Sequence, residues 1–184
     1  MIYFITGGAR SGKSTYSLNL AKKLGKQVLF IASASVTDLD MEERIRKHRE
    51  ERPSEWFLIE MYENFLSLES NELFVKADTV IFDCVTMMIN NHMFKSGIDF
   101  DTEKAYKIDE LELKIKTQIV DLVYVCKNNS KNLIIVTNEV GMGLVSEYRI
   151  SNLFRDIQGR INQILASLSD EVNFMVSGIP LRIK

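Results

Sequence analysis

The segment Gly7-Gly8-Ala9-Arg10-Ser11-Gly12-Lys13-Ser14 carries the clearest chemistry in the chain. It fits the pattern G-x-x-x-x-G-K-[ST], with an apolar run before it and an amphipathic run after it. Glycines let such a loop curl so that successive backbone N–H groups face phosphate oxygens, and the following helix adds the positive end of its dipole. In that arrangement Lys13 reaches the outer phosphates and the Ser14 hydroxyl meets Mg²⁺. A phosphate loop also needs an acidic group for the metal at the end of a neighbouring strand. Asp83 closes the run Thr79-Val80-Ile81-Phe82 and suits that role, although a strand-end aspartate also caps helices. These residues point to nucleoside triphosphate binding and leave GTPase, ATPase, small-molecule kinase and transferase open.

A second candidate is His48, in the stretch from Met41 to Arg52. Asp38 or Asp40 can cap a helix here, and Pro53 biases Arg52 away from helical geometry and stops it. Positions 41, 45, 48 and 52 share one face at i, i+4, i+7, i+11, so His48 and Arg52 continue a stripe begun by Met41 and Ile45. By spacing alone His48 is a candidate and no more, since a satisfied core-edge histidine fits the same stripe. The other histidine, His92, stands apart from any cluster with metal-ligand spacing, which argues against zinc. No G-x-S-x-G elbow is present, so serine-hydrolase chemistry has no support.

The elements that must hold these groups follow from the apolar pattern. Strand-length runs cover Ile2 to Thr6, Val28 to Ala32, Trp56 to Ile59, Thr79 to Phe82, Leu133 to Thr137 and Val172 to Val176. They are near-continuous rather than alternating, as strands buried on both faces require. Helical patterns fill 13–24, 101–127 and 147–168. Gly25 follows the first of these where a C′ glycine belongs. Strands alternating with helices predict a single α/β domain over residues 1–184. The predicted fold is P-loop NTPase-like and doubly wound, a mainly parallel sheet with helices on both faces. Asn138-Glu139, closing the fifth run, then falls at the carboxyl edge of the sheet, where such folds bind ligands.

Composition narrows the function classes. The 184 residues are 46% hydrophobic and 26% charged, an ordinary mixture for a globular domain. Lys plus Arg is 23 and Asp plus Glu is 25, for a net charge of −2, unlike a dedicated nucleic-acid binder. Cys84 and Cys126 lie far apart without a CxxC pattern, which fits a reducing, cytoplasmic setting. The first residues read as a strand rather than a signal peptide, and no apolar run approaches a membrane span.

Four blocks resemble the bifunctional adenosylcobinamide kinase/adenosylcobinamide-phosphate guanylyltransferase family of cobalamin biosynthesis. The first is Thr6 to Ser14. The second is His48-Arg49-Glu50-Glu51-Arg52-Pro53 with Trp56 and Glu60. The third is Asp83-Cys84-Val85-Thr86. The fourth, Val136-Thr137-Asn138-Glu139-Val140-Gly141-Met142-Gly143, continues through Phe154-Arg155-Asp156, Gly159-Arg160 and Asn162-Gln163 to Ser177-Gly178-Ile179-Pro180. The resemblance implies phosphorylation of adenosylcobinamide by ATP or GTP, followed by GMP transfer from GTP onto the new phosphate through a guanylylated His48. It implies nucleotide contacts from Gly7, Gly8, Ala9, Arg10, Ser11, Gly12, Lys13, Ser14, Ser33, Ala34, Ser35, Arg49, Glu50, Glu51, Arg52, Glu60 and Asp83, with Ser14 and Asp83 serving Mg²⁺. It also implies a homotrimer. Ser146 departs from the family, which commonly has proline there.

Two other readings stay open: a P-loop kinase of another small metabolite, and a non-enzymatic GTP-dependent regulator. The second lacks the Asn-Lys-x-Asp stretch that switch GTPases use to read guanine, because Asn138-Glu139-Val140-Gly141 stands in the comparable place.

Overall fold

In the computed structural model the described residues are 1–34, 52–143 and 145–184. Among them the order is β1 (Ile2–Gly7), α1 (Lys13–Leu24), β2 (Val28–Ala32), β3 (Phe57–Glu60), a 3₁₀ turn (Phe65–Ser70), α2 (Glu72–Lys76), β4 (Thr79–Asp83), α3 (Val85–Lys95), α4 (Ala105–Asn128), β5 (Asn132–Val136), α5 (Arg149–Leu168), β6 (Glu171–Val176) and β7 (Ile179–Arg182). The strands form one sheet in the order β3-β2-β4-β5-β1-β6-β7. Neighbours run parallel except β7, which is antiparallel to β6.

Alternation along the strands divides the core in two. Ile2, Phe4, Leu29, Ile31, Val80, Phe82, Leu133 and Ile135 face α3, α4, α5 and the 3₁₀ turn. Tyr3, Ile5, Val28, Phe30, Ile81 and Ile134 face Leu18 and Ala21 of α1. Both faces of the central strands are therefore apolar, which is why their sequences do not alternate. The chain leaves β1 for β2 through α1 on one face and leaves β5 for β6 through α5 on the other. Adjacent β1 and β5 thus diverge at their carboxyl ends, the place where an open α/β sheet forms a ligand crevice.

The strands and long helices match their predicted positions within a few residues; the 3₁₀ turn and the short α2 have no counterpart in the sequence expectation, and other local features differ as well. Helix α3 is absent from the sequence expectation. So is β7, whose Pro180 is tolerated because the strand lies at the sheet edge. The β6–β7 hairpin turns on Ser177 and Gly178, both with positive φ (52° and 83°), the geometry that two-residue hairpins favour. The predicted helix start at 101 gives way to a turn in which Asp99 accepts from the Asp101 N–H and the Thr102 hydroxyl. Gly25 is not a left-handed cap: its backbone is extended (φ −149°). A glycine is needed there because a Cβ would lie 1.8 Å from Asp78 Oδ1. That Asp78 carboxylate accepts from the N–H groups of Lys26 and Gln27 and secures the turn into β2. Among the described residues, no helix is long and apolar enough to cross a membrane.

Candidate active site

The loop between β1 and α1 encloses a pocket of about 400 Å³ with the ends of β4 and β5. Residues 9–15, Asp83, Cys84, Val136 and Asn138 line it. Gly12 makes the loop possible: its φ of 93° is left-handed, and a Cβ would approach Gly178 Cα to 3.1 Å. The loop is tied down by the Gly178 N–H, which donates to the Ser11 carbonyl at 3.0 Å. The β6–β7 hairpin therefore supports the phosphate loop from behind. Lys13 Nζ donates to the carbonyls of Gly7 (3.0 Å) and Gly8 (2.6 Å), folded over the loop where phosphate oxygens would take their place. Burial holds its ammonium below the ordinary lysine value, with the Asp83 carboxylate pulling the other way. A buried cation whose hydrogen-bond acceptors among the described residues are neutral carbonyls gains strongly from an arriving anion.

Parallel register brings the remaining candidates to one sheet edge. Val136, Asp83, Ala32 and Glu60 occupy one row across β5, β4, β2 and β3. Ser33 and Ala34 continue immediately beyond β2. Asp83 Oδ2 accepts from Ser14 Oγ at 3.4 Å, so two hard oxygen donors meet at the pocket. That pair suits Mg²⁺, which binds through one or two protein oxygens while keeping waters and substrate phosphates. Ser33 Oγ donates to the Cys84 carbonyl (2.6 Å) and accepts from the Cys84 N–H (2.8 Å), fixing the backbone directly after Asp83. Asn91 Nδ2 holds the Ser33 carbonyl from α3 at 2.7 Å. Desolvation, strengthened by Asp83, pushes the Cys84 thiol up to about 12, so Cys84 stays protonated and is a poor nucleophile. Arg52 stacks over the Phe30 ring at 3.8 Å, on the α1 face two residues before the Ala32 row. His48, Ser35, Arg49, Glu50 and Glu51 lie outside the described residues.

The turn after β5 is locked by a polar cluster that spacing alone did not disclose. Gln158 Nε2 donates to Thr137 Oγ1 (2.8 Å) and to Asn162 Oδ1 (2.9 Å). Asn162 Nδ2 donates to the Asn138 carbonyl (3.1 Å), and Thr86 Oγ1 accepts from the Asn138 N–H (2.9 Å). The Glu139 N–H donates to the Gly7 carbonyl at 2.9 Å, joining this turn to the phosphate loop. Thr86, Asn138 and Asn162 belong to the sequence blocks above, so the signal was present without its meaning. Gln158, fully buried, had none.

The family described as cobinamide kinase / cobinamide phosphate guanyltransferase matches residues 3–183. The chain belongs to this family. The bifunctional adenosylcobalamin biosynthesis proteins CobU of Escherichia coli and of Salmonella typhimurium are each 39% identical to it over 100% of both chains. The corresponding CobP of Pseudomonas aeruginosa is 29% identical over 98% of this chain and 95% of its own. A KaiC-like protein of Pyrococcus horikoshii superposes with a TM-score of 0.51 at 14% identity, covering 94% of this chain and 71% of its own, a likeness of fold alone. As a member of the cobinamide kinase / guanyltransferase family, the chain makes a local adjustment at Ser146. Its N–H donates to Asn152 Oδ1 at 3.0 Å, a bond that proline could not make.

Proposed function

We propose that this protein phosphorylates adenosylcobinamide with ATP or GTP and then converts the phosphate to adenosylcobinamide-GDP with GTP. The family match over residues 3–183 carries this reading, and the phosphate pocket is consistent with it. In the first reaction the acceptor hydroxyl attacks the γ-phosphorus, the bond to the β-phosphate oxygen breaks, the nucleoside diphosphate leaves and the hydroxyl proton passes to solvent. Lys13 and the loop N–H groups neutralise and orient the phosphates, the dominant requirement in phosphoryl transfer. Mg²⁺, held by Ser14 and Asp83, would supply charge neutralisation at the phosphate oxygens. In the second reaction a His48 ring nitrogen attacks the α-phosphorus of GTP and pyrophosphate leaves. A phosphate oxygen of adenosylcobinamide phosphate then displaces the imidazole. Splitting one transfer into two suits a neutral imidazole near pH 7.

The same reading assigns nucleotide contacts to residues 7–14, 33–35, 49–52, Glu60 and Asp83, a homotrimeric assembly, and a cytoplasmic setting. Mass spectrometry of adenosylcobinamide incubated with the protein and Mg²⁺-GTP tests the function. Sequential gain of a phosphate and then a GMP unit is expected, and an unmodified corrinoid contradicts it. Sedimentation at micromolar protein tests the assembly: three times the 21.2 kDa chain mass is expected, and the monomer mass alone contradicts it.

A further inference from the structure

Helix α3 separates two grooves of opposite character. On one side Tyr62, Glu63, His92 and Lys95 line a groove with α4 whose cations already have partners. Lys95 donates to the Tyr62 hydroxyl, Lys114 pairs with Glu63, and Lys107 pairs with Glu103. On the other side Met93, Phe94, Val140, Ile150 and Phe154 form an apolar groove of about 380 Å³ between α3, the β5–α5 segment and α5, with Asn90 and Arg155, itself paired with Asp156, among its polar lining.

We infer that this second groove seats the corrin ring of the acceptor. The inference rests on the kinase and guanylyltransferase reading above. Three observations support it. First, the groove continues from the phosphate pocket. Asn138 lines that pocket and Val140 lines the groove, two residues away and so within about 7 Å along the chain. Helix α3 likewise starts beside Asp83 and carries Asn90, Met93 and Phe94 into the groove. An acceptor lying here directs its hydroxyl arm towards the phosphates.

Second, the surface is apolar and uncovered. Phe94 is 73% exposed, and in the segment that lines the groove Met142, Val145 and Tyr148 are 82%, 75% and 64% exposed. Clustered exposure of this kind marks a binding surface rather than ordinary surface scatter. Third, the chemistry matches. Cobinamide is a flat, methyl-bearing macrocycle fringed with carboxamide arms, and an apolar floor with an asparagine amide and an arginine at its edge complements both parts. The ion-paired groove across α3 offers the ring no comparable apolar floor.

Kinetics on Phe94→Glu and Ile150→Glu, both at solvent-accessible positions, test the assignment. Each variant is compared with the unaltered protein for turnover of adenosylcobinamide, GTP affinity by calorimetry, and sedimenting mass. The expected result is a KM for adenosylcobinamide raised at least about tenfold, the loss that follows removal of a buried apolar contact, with GTP affinity and mass unchanged. An unchanged KM in both variants overturns the groove. A smaller sedimenting mass in both assigns the surface to contacts between copies and also overturns it. If the unaltered protein binds GTP but never modifies adenosylcobinamide, the functional reading itself fails and the groove falls with it.

Discussion

The phosphate loop and the turn after β5 bound the same pocket from adjacent strands, but they are made in different ways. The loop is built from eight consecutive residues, and its shape comes from backbone: a left-handed Gly12, carbonyls that hold Lys13, and one hydrogen bond from Gly178. The β5 turn is built from side chains of three elements, with Thr86 on α3, Thr137 after β5, and Gln158 and Asn162 on α5. The first is local and accessible to a ligand. The second is buried and distributed, and each of its members depends on the others. Damage to the loop should therefore appear mainly in binding and turnover, and damage to the turn mainly in stability.

Lys13→Ala gives the largest expected effect. Turnover of both reactions should fall by roughly 10²- to 10³-fold, the cost of removing one preorganised charge-stabilising donor, with little change in melting temperature. Rate assays beside a thermal melt check this, and an unchanged rate breaks the loop's half of the comparison. Asp83→Asn keeps the shape and removes the charge. Calorimetry should show Mg²⁺-GTP binding weakened about tenfold while GTP without metal binds nearly as before.

Gln158→Ala probes the other side. Truncation removes the two donations from Gln158 Nε2 to Thr137 and Asn162 and opens a void in a buried network. It should cost about 1–3 kcal/mol, a fall in melting temperature of roughly 2–12 °C, with GTP affinity nearly retained. Equal losses of affinity in Lys13→Ala and Gln158→Ala would erase the distinction between the two regions.

The smallest effect concerns acid. Burial, with the nearby Lys114 charge, holds His92 below its ordinary value of 6.5. The unfolded chain therefore takes up this proton first as the pH falls. The stability involved is complete above about pH 6.5 and is lost below it. Its Nε2 is buried without a hydrogen-bond partner, so His92→Leu sacrifices no bond at that atom. Melting at pH 7.5 and 5.5 should show a smaller acid-induced drop in His92→Leu than in the unaltered protein. An equal drop in both assigns the acid sensitivity elsewhere.

The same division explains what could be read from the sequence. The central strands announce themselves as Val, Ile and Phe runs because both their faces are buried, and the phosphate loop is a contiguous motif. Helix α3 stayed hidden because Val85, Thr86, Met88, Ile89, Asn91, His92 and Met93 are all buried, which leaves no clean polar face to set a helical period. Strand β7 is exposed throughout and carries Pro180, so neither burial nor alternation marks it. The sheet-edge row of Glu60, Ala32, Asp83 and Val136 depends on register among strands far apart in sequence, which only the fold supplies. Gly25 shows that a residue type can be noticed and its reason mistaken: packing against Asp78, not cap geometry, requires it.

Covalent labelling tests the central claim most directly. The unaltered protein and His48→Ala are each incubated with Mg²⁺ and GTP radioactive at the α-phosphate, then denatured and counted. The account predicts one GMP per active site on the unaltered protein, released by acid and stable to base as a phosphoramidate is, and none on His48→Ala, which should still bind GTP and keep part of its kinase activity. Full GMP labelling of a folded His48→Ala protein, or no label on an unaltered protein that makes adenosylcobinamide-GDP, would contradict it.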